Sequence, residues 1–205
     1  MVKNFIEKSW LLIIASLAFG LLLAGANEYL GPEIEKQEAK KFSDLAVKMI
    51  EGAAKFENAT EDPIKIKSAK GKEITVKTLK KGLDESGKVL GWAFEAVGSG
   101  FSDKIKLVIG VDAEFKTIKG FGVLSSNETP GFGDKIGKPD HKFVTQFAGT
   151  PAEELTLSKI GDYSKTDDTE IIAISGATVT SDAVVSIFNT YIDQVKETLK
   201  MKDLL

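Results

Sequence analysis

The sequence predicts an α+β protein, in which an N-terminal transmembrane helix precedes one domain with a mainly antiparallel sheet flanked by helices. Three features predict this class. An uncharged apolar run lies near the N-terminus, alternating apolar and polar runs occupy the middle, and an amphipathic run closes the chain. The apolar run leaves roughly 170 residues for the folded part, which is the size of one ordinary domain.

The apolar run extends from Trp10 to Ala26 and carries no charge. As a helix it would span about 25 Å, slightly less than a hydrocarbon core of about 30 Å, so Phe5 and Ile6 are expected to extend it. Lysines precede the run and acids follow it, which places the N-terminus in the cytoplasm and the domain outside, as a single-pass protein of the cytoplasmic (inner) membrane. The run Ala24-Gly25-Ala26 also suits signal peptidase, so a cleaved signal peptide is the competing interpretation.

An amphipathic helix is predicted from Glu33 to Phe56, where apolar residues recur at helical spacing between charges. Pro32 suits the first position of a helix, so a break between the anchor and this helix is expected at Gly31–Pro32. These features give two parts: residues 1–31 form the cytoplasmic N-terminus and the anchor, and residues 32–205 form the extracytoplasmic domain.

The middle of the chain is predicted to form an antiparallel sheet, because four runs are rich in β-branched and aromatic residues or alternate in polarity. These runs are 73–79, 89–97, 105–111 and 118–124. The connection from Asp112 to Lys116 is predicted to be a hairpin loop, which makes the last two strands neighbours.

A C-terminal helix is predicted from Ser181 to Lys202, because its apolar residues fall on one side. Thr180 or Ser181 is expected to cap its start, and Lys200 suits the negative end of the helix dipole. Thr178 would then lie about one turn before the helix.

Composition excludes several kinds of site. The chain has no cysteine, and its single histidine is His141, so disulfides, iron–sulfur ligation and an ordinary zinc site are not expected and any redox cofactor is organic. Every basic residue is lysine and the net charge is −3, which argues against nucleic-acid binding. His141 lies in a polar loop and is expected at the surface. The acidic residues Asp167, Asp168 and Glu170 are expected to be solvated, and their spacing does not suggest a hydrolase.

The segment from Ser175 to Ser181 places four hydroxyl side chains around Gly176, just before the predicted C-terminal helix. Glycine permits a close backbone approach, and the start of a helix offers free N–H groups and a positive dipole end to a phosphate. This pattern predicts a phosphate attachment site at Thr178. An ordinary capping turn is the alternative, and residue types alone favour it.

A second segment, from Asn127 to Ile136, contains Glu128, Thr129, Pro130 and Gly131 followed by Phe132. Proline with glycine predicts a tight loop whose backbone can approach a flat ligand, and Phe132 is expected either to cover a ligand ring or to plug the core. A plain turn is the alternative for the Pro-Gly pair.

Together the two segments resemble the S-G-A-T and E-T-P-G motifs of the FMN-binding domain family, in the family's order, and the resemblance covers most of the chain. It is nearest to the family's Rnf branch and more distant from the sodium-pumping NADH:quinone reductases. It implies that Thr178 carries FMN covalently through a phosphoester. The implied surroundings of the cofactor are Ser175, Gly176, Ala177, Thr180, Ser181, Glu128, Thr129, Pro130, Gly131 and Phe132. Because a threonine hydroxyl is a poor nucleophile and no histidine lies nearby in sequence, a separate flavin transferase is expected to attach the FMN.

The resemblance implies an electron-transfer subunit of a membrane-bound, ion-translocating ferredoxin:NAD oxidoreductase (Rnf) complex, not active alone, with membrane, flavin and iron–sulfur subunits as partners. The alternatives are an anchored scaffold domain that never receives flavin and a stand-alone anchored flavoprotein reductase. The chain departs from the motif at Ile172, where the family usually has an acidic or amide residue three positions before the serine. Glu170 would lie on the same face of a strand and is expected to serve the transferase instead.

Overall fold

The computed structural model describes residues 2–68, 71–161, 163 and 168–205. The chain divides into two compact units, Met1–Lys40 and Lys41–Leu205. The helices are α1 (Val2–Met49), α2 (Lys142–Thr145) and α3 (Thr178–Met201), with a short 3₁₀ helix at Gly133–Gly137. The strands are β1 (Lys55–Asn58), β2 (Ile64–Lys67), β3 (Glu73–Val76), β4 (Leu79–Leu83), β5 (Val89–Ser99), β6 (Lys104–Asp112), β7 (Ile118–Ser125), β8 (Thr156–Ser158) and β9 (Glu170–Ile172).

The first unit consists of the N-terminal part of α1. Its apolar side chains are exposed over the predicted anchor, for example Leu12 at 74%. Among the described residues, one helix, α1, is long and apolar enough to cross a membrane, and its candidate span is Ser9–Met49. A signal sequence meets the same criterion, so both interpretations of the run remain open.

The predicted break at Gly31–Pro32 is wrong, because Pro32 lies inside α1. A proline inside a helix removes one backbone hydrogen bond and costs about 3 kcal/mol. The flanking residues are mostly good helix formers, including alanine, glutamate and lysine, and they offset that cost. The boundary between residues 1–31 and 32–205 stays a prediction.

The second unit is built on a five-stranded antiparallel sheet with the order β1-β4-β5-β6-β7. The predicted antiparallel sheet and the hairpin loop after Asp112 are thus confirmed. In that loop the Asp112 carboxylate accepts a hydrogen bond of 2.7 Å from the Lys116 N–H. Phe115 has a φ of 56° there and is fully buried, so the loop also contributes to the core.

Side chains of the central strands alternate between two cores. On one face, Trp92 and Phe94 of β5 pack in the larger cluster, which includes the buried side of α3. On the other face, Ala93 packs with Phe42 and Ile50 in the smaller cluster at the end of α1. The sheet is therefore covered by a helix on each face. Because successive side chains of a strand point to opposite faces, a strand with apolar residues at successive positions needs both faces covered.

Two predicted boundaries are wrong in this unit. The helix predicted to reach Phe56 ends at Met49, because Gly52 adopts a left-handed φ of 83° and the chain turns back as β1 to pair with β4. The run 73–79 is split, since β3 pairs with β2 in a separate two-stranded sheet while β4 joins the main sheet. Alternation alone does not distinguish one strand from two short ones.

Candidate functional site

The start of α3 is set by a turn in which Gly176 has a φ of 81°, a conformation that favours glycine. The Ser181 hydroxyl donates to the Ala177 carbonyl at 3.0 Å and accepts from the Ile174 N–H at 2.9 Å. These bonds hold the chain from 174 to 177 against the first turn of the helix. The turn is therefore fixed from inside the domain.

Helix α3 begins at Thr178, not at Ser181, and Thr178 is thus its first residue. The prediction that Thr180 or Ser181 caps the helix is wrong, because Ala177 is the N-cap residue and no side chain caps it. The Thr180 hydroxyl instead bonds to the distant Glu128 carboxylate, and the Ser181 hydroxyl bonds locally to the Ala177 carbonyl.

An uncapped helix start suits a phosphate. The first N–H groups of an α-helix have no acceptor within the helix, and here no side chain takes that place. The positive end of the dipole adds to the attraction for an anion. Thr178 is half-buried at this position.

The second predicted segment forms a tight loop before the 3₁₀ helix. The Thr129 carbonyl accepts from the N–H groups of Phe132 and Asp134, both at 3.2 Å, and Gly131 has a φ of 79°. Phe132 is 52% exposed and does not plug the core. Its ring approaches the S-G-A-T turn so closely that a Cβ on Gly176 would lie 3.1 Å from Cδ1 of Phe132.

Both segments line one open cleft of about 510 Å³. The lining residues are Phe101, Thr129, Phe132, Gly133, Gly176, Ala177, Thr178, Val179 and Thr180. Five predicted residues lie beside the cleft without lining it: Ser175, Ser181, Glu128, Pro130 and Gly131. Gly133 belongs to the loop that the sequence predicts to approach the ligand, whereas Phe101 and Val179 were not predicted. Val179 lies inside the first predicted segment, and the sequence around Phe101 carries no motif.

The rim of the cleft is apolar. Phe101 is 64% exposed and Val179 is 58% exposed, in addition to Phe132. Isolated exposed apolar residues are common, but three around one cleft mark a surface that suits a flat aromatic ligand. Of the described residues, those that line the cleft include no histidine, carboxylate or lysine.

Glu128 is buried behind the cleft wall and is 5% exposed. Its Oε2 accepts a hydrogen bond of 2.5 Å from the Thr180 hydroxyl, and its Oε1 accepts one of 3.1 Å from the Ser102 N–H. The two predicted segments are therefore joined by a direct hydrogen bond between a carboxylate and a hydroxyl.

Residues outside the cleft have structural roles or lie at the surface. Trp92 is buried, and its indole N–H donates to the Ala113 carbonyl at 3.1 Å. His141 is half-buried, and its Nδ1 accepts from the Phe143 N–H at 3.2 Å to cap α2. Burial lowers the pKa of His141, and nearby lysines lower it further. Of the acidic residues, Asp168 is half-buried, Glu170 is exposed, and Asp167 lies outside the described residues.

This antiparallel domain, with its hydroxyl-rich helix start beside a Pro-Gly loop, belongs to the FMN-binding domain proteins, and the FMN-binding domain family model matches residues 100–193. The fold is similar to the crystal structure of NqrC from Shewanella oneidensis, with a TM-score of 0.51 and 23% identity over 70% of this chain and 72% of that one.

Two relatives extend the similarity to nearly the whole chain. The G subunit of an ion-translocating oxidoreductase complex from Methanosarcina acetivorans is 30% identical over 90% of each chain. The G subunit of a Na⁺-translocating ferredoxin:NAD⁺ oxidoreductase complex from Acetobacterium woodii is 31% identical over 87% of this chain and 86% of its own. The chain belongs to this family of G subunits, which confirms the resemblance seen in the sequence.

Proposed function

We propose that this protein is the electron-transfer subunit of a membrane-bound, ion-translocating ferredoxin:NAD oxidoreductase (Rnf) complex and carries FMN on Thr178 through a phosphoester bond. The names of its relatives and the FMN-binding domain support the assignment. The observation that supports the attachment is that both motifs line one cleft, with Thr178 half-buried at an uncapped helix start.

Different residues of the cleft would hold different parts of the cofactor. The N–H groups of the first turn of α3 would bind the phosphate, and the apolar rim of Phe101, Phe132 and Val179 would exclude water from the ring. Bound FMN supplies one-electron transfer, which the chain's own side chains do not offer.

Attachment is proposed to require a separate flavin transferase. Activation of a threonine hydroxyl needs a base within hydrogen-bond reach. The described residues that line the cleft supply none, and the buried carboxylate of Glu128 behind it already accepts two hydrogen bonds. The transferase and the membrane, flavin and iron–sulfur subunits of the complex are therefore the proposed partners, and the chain alone should show little turnover.

The proposed location is the cytoplasmic (inner) membrane, with a single span, the N-terminus in the cytoplasm and the domain outside. The exposed apolar side chains of the first unit support a membrane span, since exposing them to water would be costly. The lysines before the span support the orientation.

Intact-mass measurement tests the proposal. Protein made in a host with its own flavin transferase should be heavier than the sequence by about 438 Da, the mass of FMN less one water. Thr178→Val should abolish the increment, whereas Thr198→Val should retain it. Thr198 is a suitable control because its hydroxyl donates to the Gln194 carbonyl within the same helix.

The other outcomes separate the alternatives. Native protein without bound flavin would contradict the proposal and favour an anchored scaffold domain. Flavinylated protein that purifies in mild detergent without other membrane subunits would instead indicate a stand-alone reductase.

A further inference from the structure

The structure assigns Glu128 the role of a positioning residue: its buried carboxylate fixes the first turn of α3, and therefore Thr178, against the loop that forms the opposite wall of the cleft. We call Glu128 and its two donors, the Thr180 hydroxyl and the Ser102 N–H, the Glu128 clasp. The inference rests on the proposed function, since it concerns how the attachment residue is held.

The clasp joins three segments that are distant in sequence. Ser102 follows β5, Glu128 lies in the loop before the 3₁₀ helix, and Thr180 lies in the first turn of α3. The bond from Thr180 is short for a hydroxyl to a carboxylate, at 2.5 Å, and charge-assisted bonds of this kind are the stronger ones. Each of the two carboxylate oxygens accepts one bond.

Packing around the carboxylate is tight. A Cβ on Gly133 would lie 2.7 Å from the Thr180 hydroxyl oxygen and 2.9 Å from Oε2 of Glu128. A Cβ on Gly100 would collide with Oε1 of Glu128. Side chains at either glycine would therefore push the carboxylate out of place, so the two glycines make room for the clasp.

A buried carboxylate is costly to desolvate, and an apolar residue of similar size would fill the same space at lower cost. Such a cost is accepted where the hydrogen bonds of the carboxylate define one arrangement that an apolar residue would leave undefined. In this domain, the arrangement that the bonds define is the rotation of α3 about its own axis. Residues 178 and 180 are separated by a fixed angle of about 200° around a helix, so a bond that holds the Thr180 hydroxyl also fixes the direction of the Thr178 side chain.

The clasp leaves the cleft free for the ligand. Glu128 does not line the cleft, whereas Thr180 and Gly133, which it touches, do. The negative charge of the carboxylate also interacts favourably with the positive end of the helix dipole. It does so without accepting hydrogen bonds from the backbone N–H groups of the first turn. Glu128 thus acts through Thr180 and not by contact with the cofactor.

The test measures the rate of flavin attachment on the full unmodified chain in detergent, with purified flavin transferase and FAD, followed by intact mass. Thr180→Val should lower the initial rate about tenfold, because the attachment-competent orientation of Thr178 is then populated only part of the time. Glu128→Gln should also lower the rate. Thr180→Ser keeps the hydroxyl and should restore the rate, and Thr198→Val should match the wild type.

Amide hydrogen exchange on the same unmodified proteins gives a readout that needs no flavin. Thr180→Val and Glu128→Gln should each speed exchange in residues 129–134 and 177–181 together, with the rest of the domain unchanged. This paired loosening distinguishes positioning from a general loss of stability.

Three results would overturn the inference: wild-type attachment rates in Thr180→Val, slow attachment in Thr180→Val but not in Glu128→Gln, or faster exchange spread over the whole domain. If the wild type itself accepts no flavin, the proposed function fails, and the exchange experiment still decides whether the clasp holds the two segments together.

Discussion

Single hydroxyl groups decide how the start of α3 is built. The sequence predicts that Thr180 or Ser181 caps the helix, because both residue types are favoured caps. In the folded domain, Thr180 instead bonds to a carboxylate far away in sequence and Ser181 closes the preceding turn. Local preference could not reveal these partners. Thr178, which the motif predicts as the attachment residue, lines the cleft.

The residue at position 172 gives a prediction about the transferase. Ile172 is 4% exposed and lies against Gly161, so an acidic side chain would be buried there. Glu170 is exposed at the start of the same strand. If Glu170 serves the transferase in its place, Glu170→Ala should slow flavin attachment several-fold while the exposed control Glu154→Ala does not. Equal rates for both variants, measured by intact mass, would remove this role.

His141 gives a pH-dependent prediction. Its Nδ1 must be unprotonated to accept from the Phe143 N–H, and burial lowers its pKa below the ordinary value. The stabilisation is therefore complete above the unfolded-state pKa of about 6.5 and is lost as the pH falls through the lower folded-state pKa.

The measurement is thermal unfolding at pH 7.5 and at low pH, compared with His141→Asn. Asparagine can also cap a helix but does not titrate. Loss of a cap costs about 1 kcal/mol, so the wild type should lose roughly 2–4 °C more than the variant on acidification. Parallel curves for the two proteins would contradict the prediction.

At the scale of elements, the sequence predicts the long or strongly patterned segments and misses the short ones. Strands β5, β6 and β7 and helix α3 were identified because their apolar periods persist over many residues. Strands β1, β2, β8 and β9 have only three or four residues each, so they show too few periods to detect. The two motifs come together because of how these elements pack against one another. The periodicity of the sequence carries no information about that packing.

Close packing of β5 against β6 yields a stability prediction. A Cβ on Gly91 would lie 2.5 Å from the Val111 carbonyl oxygen, and a backbone atom has little freedom to move away. Gly91→Ala should therefore destabilise the domain by about 1–3 kcal/mol, as overpacking does. Gly137→Ala is the matched control, because nothing lies within 4 Å of its Cβ position. Similar melting temperatures for both variants would show that the strands can separate.

At the scale of the whole molecule, the proposed topology can be tested cleanly because the chain contains no cysteine. Lys3→Cys and Lys200→Cys would each introduce a single thiol. A membrane-impermeant maleimide applied to spheroplasts should label position 200 at once and position 3 only after lysis. The reverse pattern would place the domain in the cytoplasm, and loss of position 3 from the mature protein would indicate a cleaved signal peptide.

Thr178 opens a helix of 24 residues whose inner side is buried along most of its length. A group joined to Thr178 would be attached to a rigid helix by a short side chain. It would not have the long flexible arm by which lipoyl or biotinyl groups move between distant active sites. Electron transfer to or from a group held in this way requires the partner subunit to approach it closely. The surface around the opening of the cleft is consequently where contacts with other subunits would govern how fast the protein works.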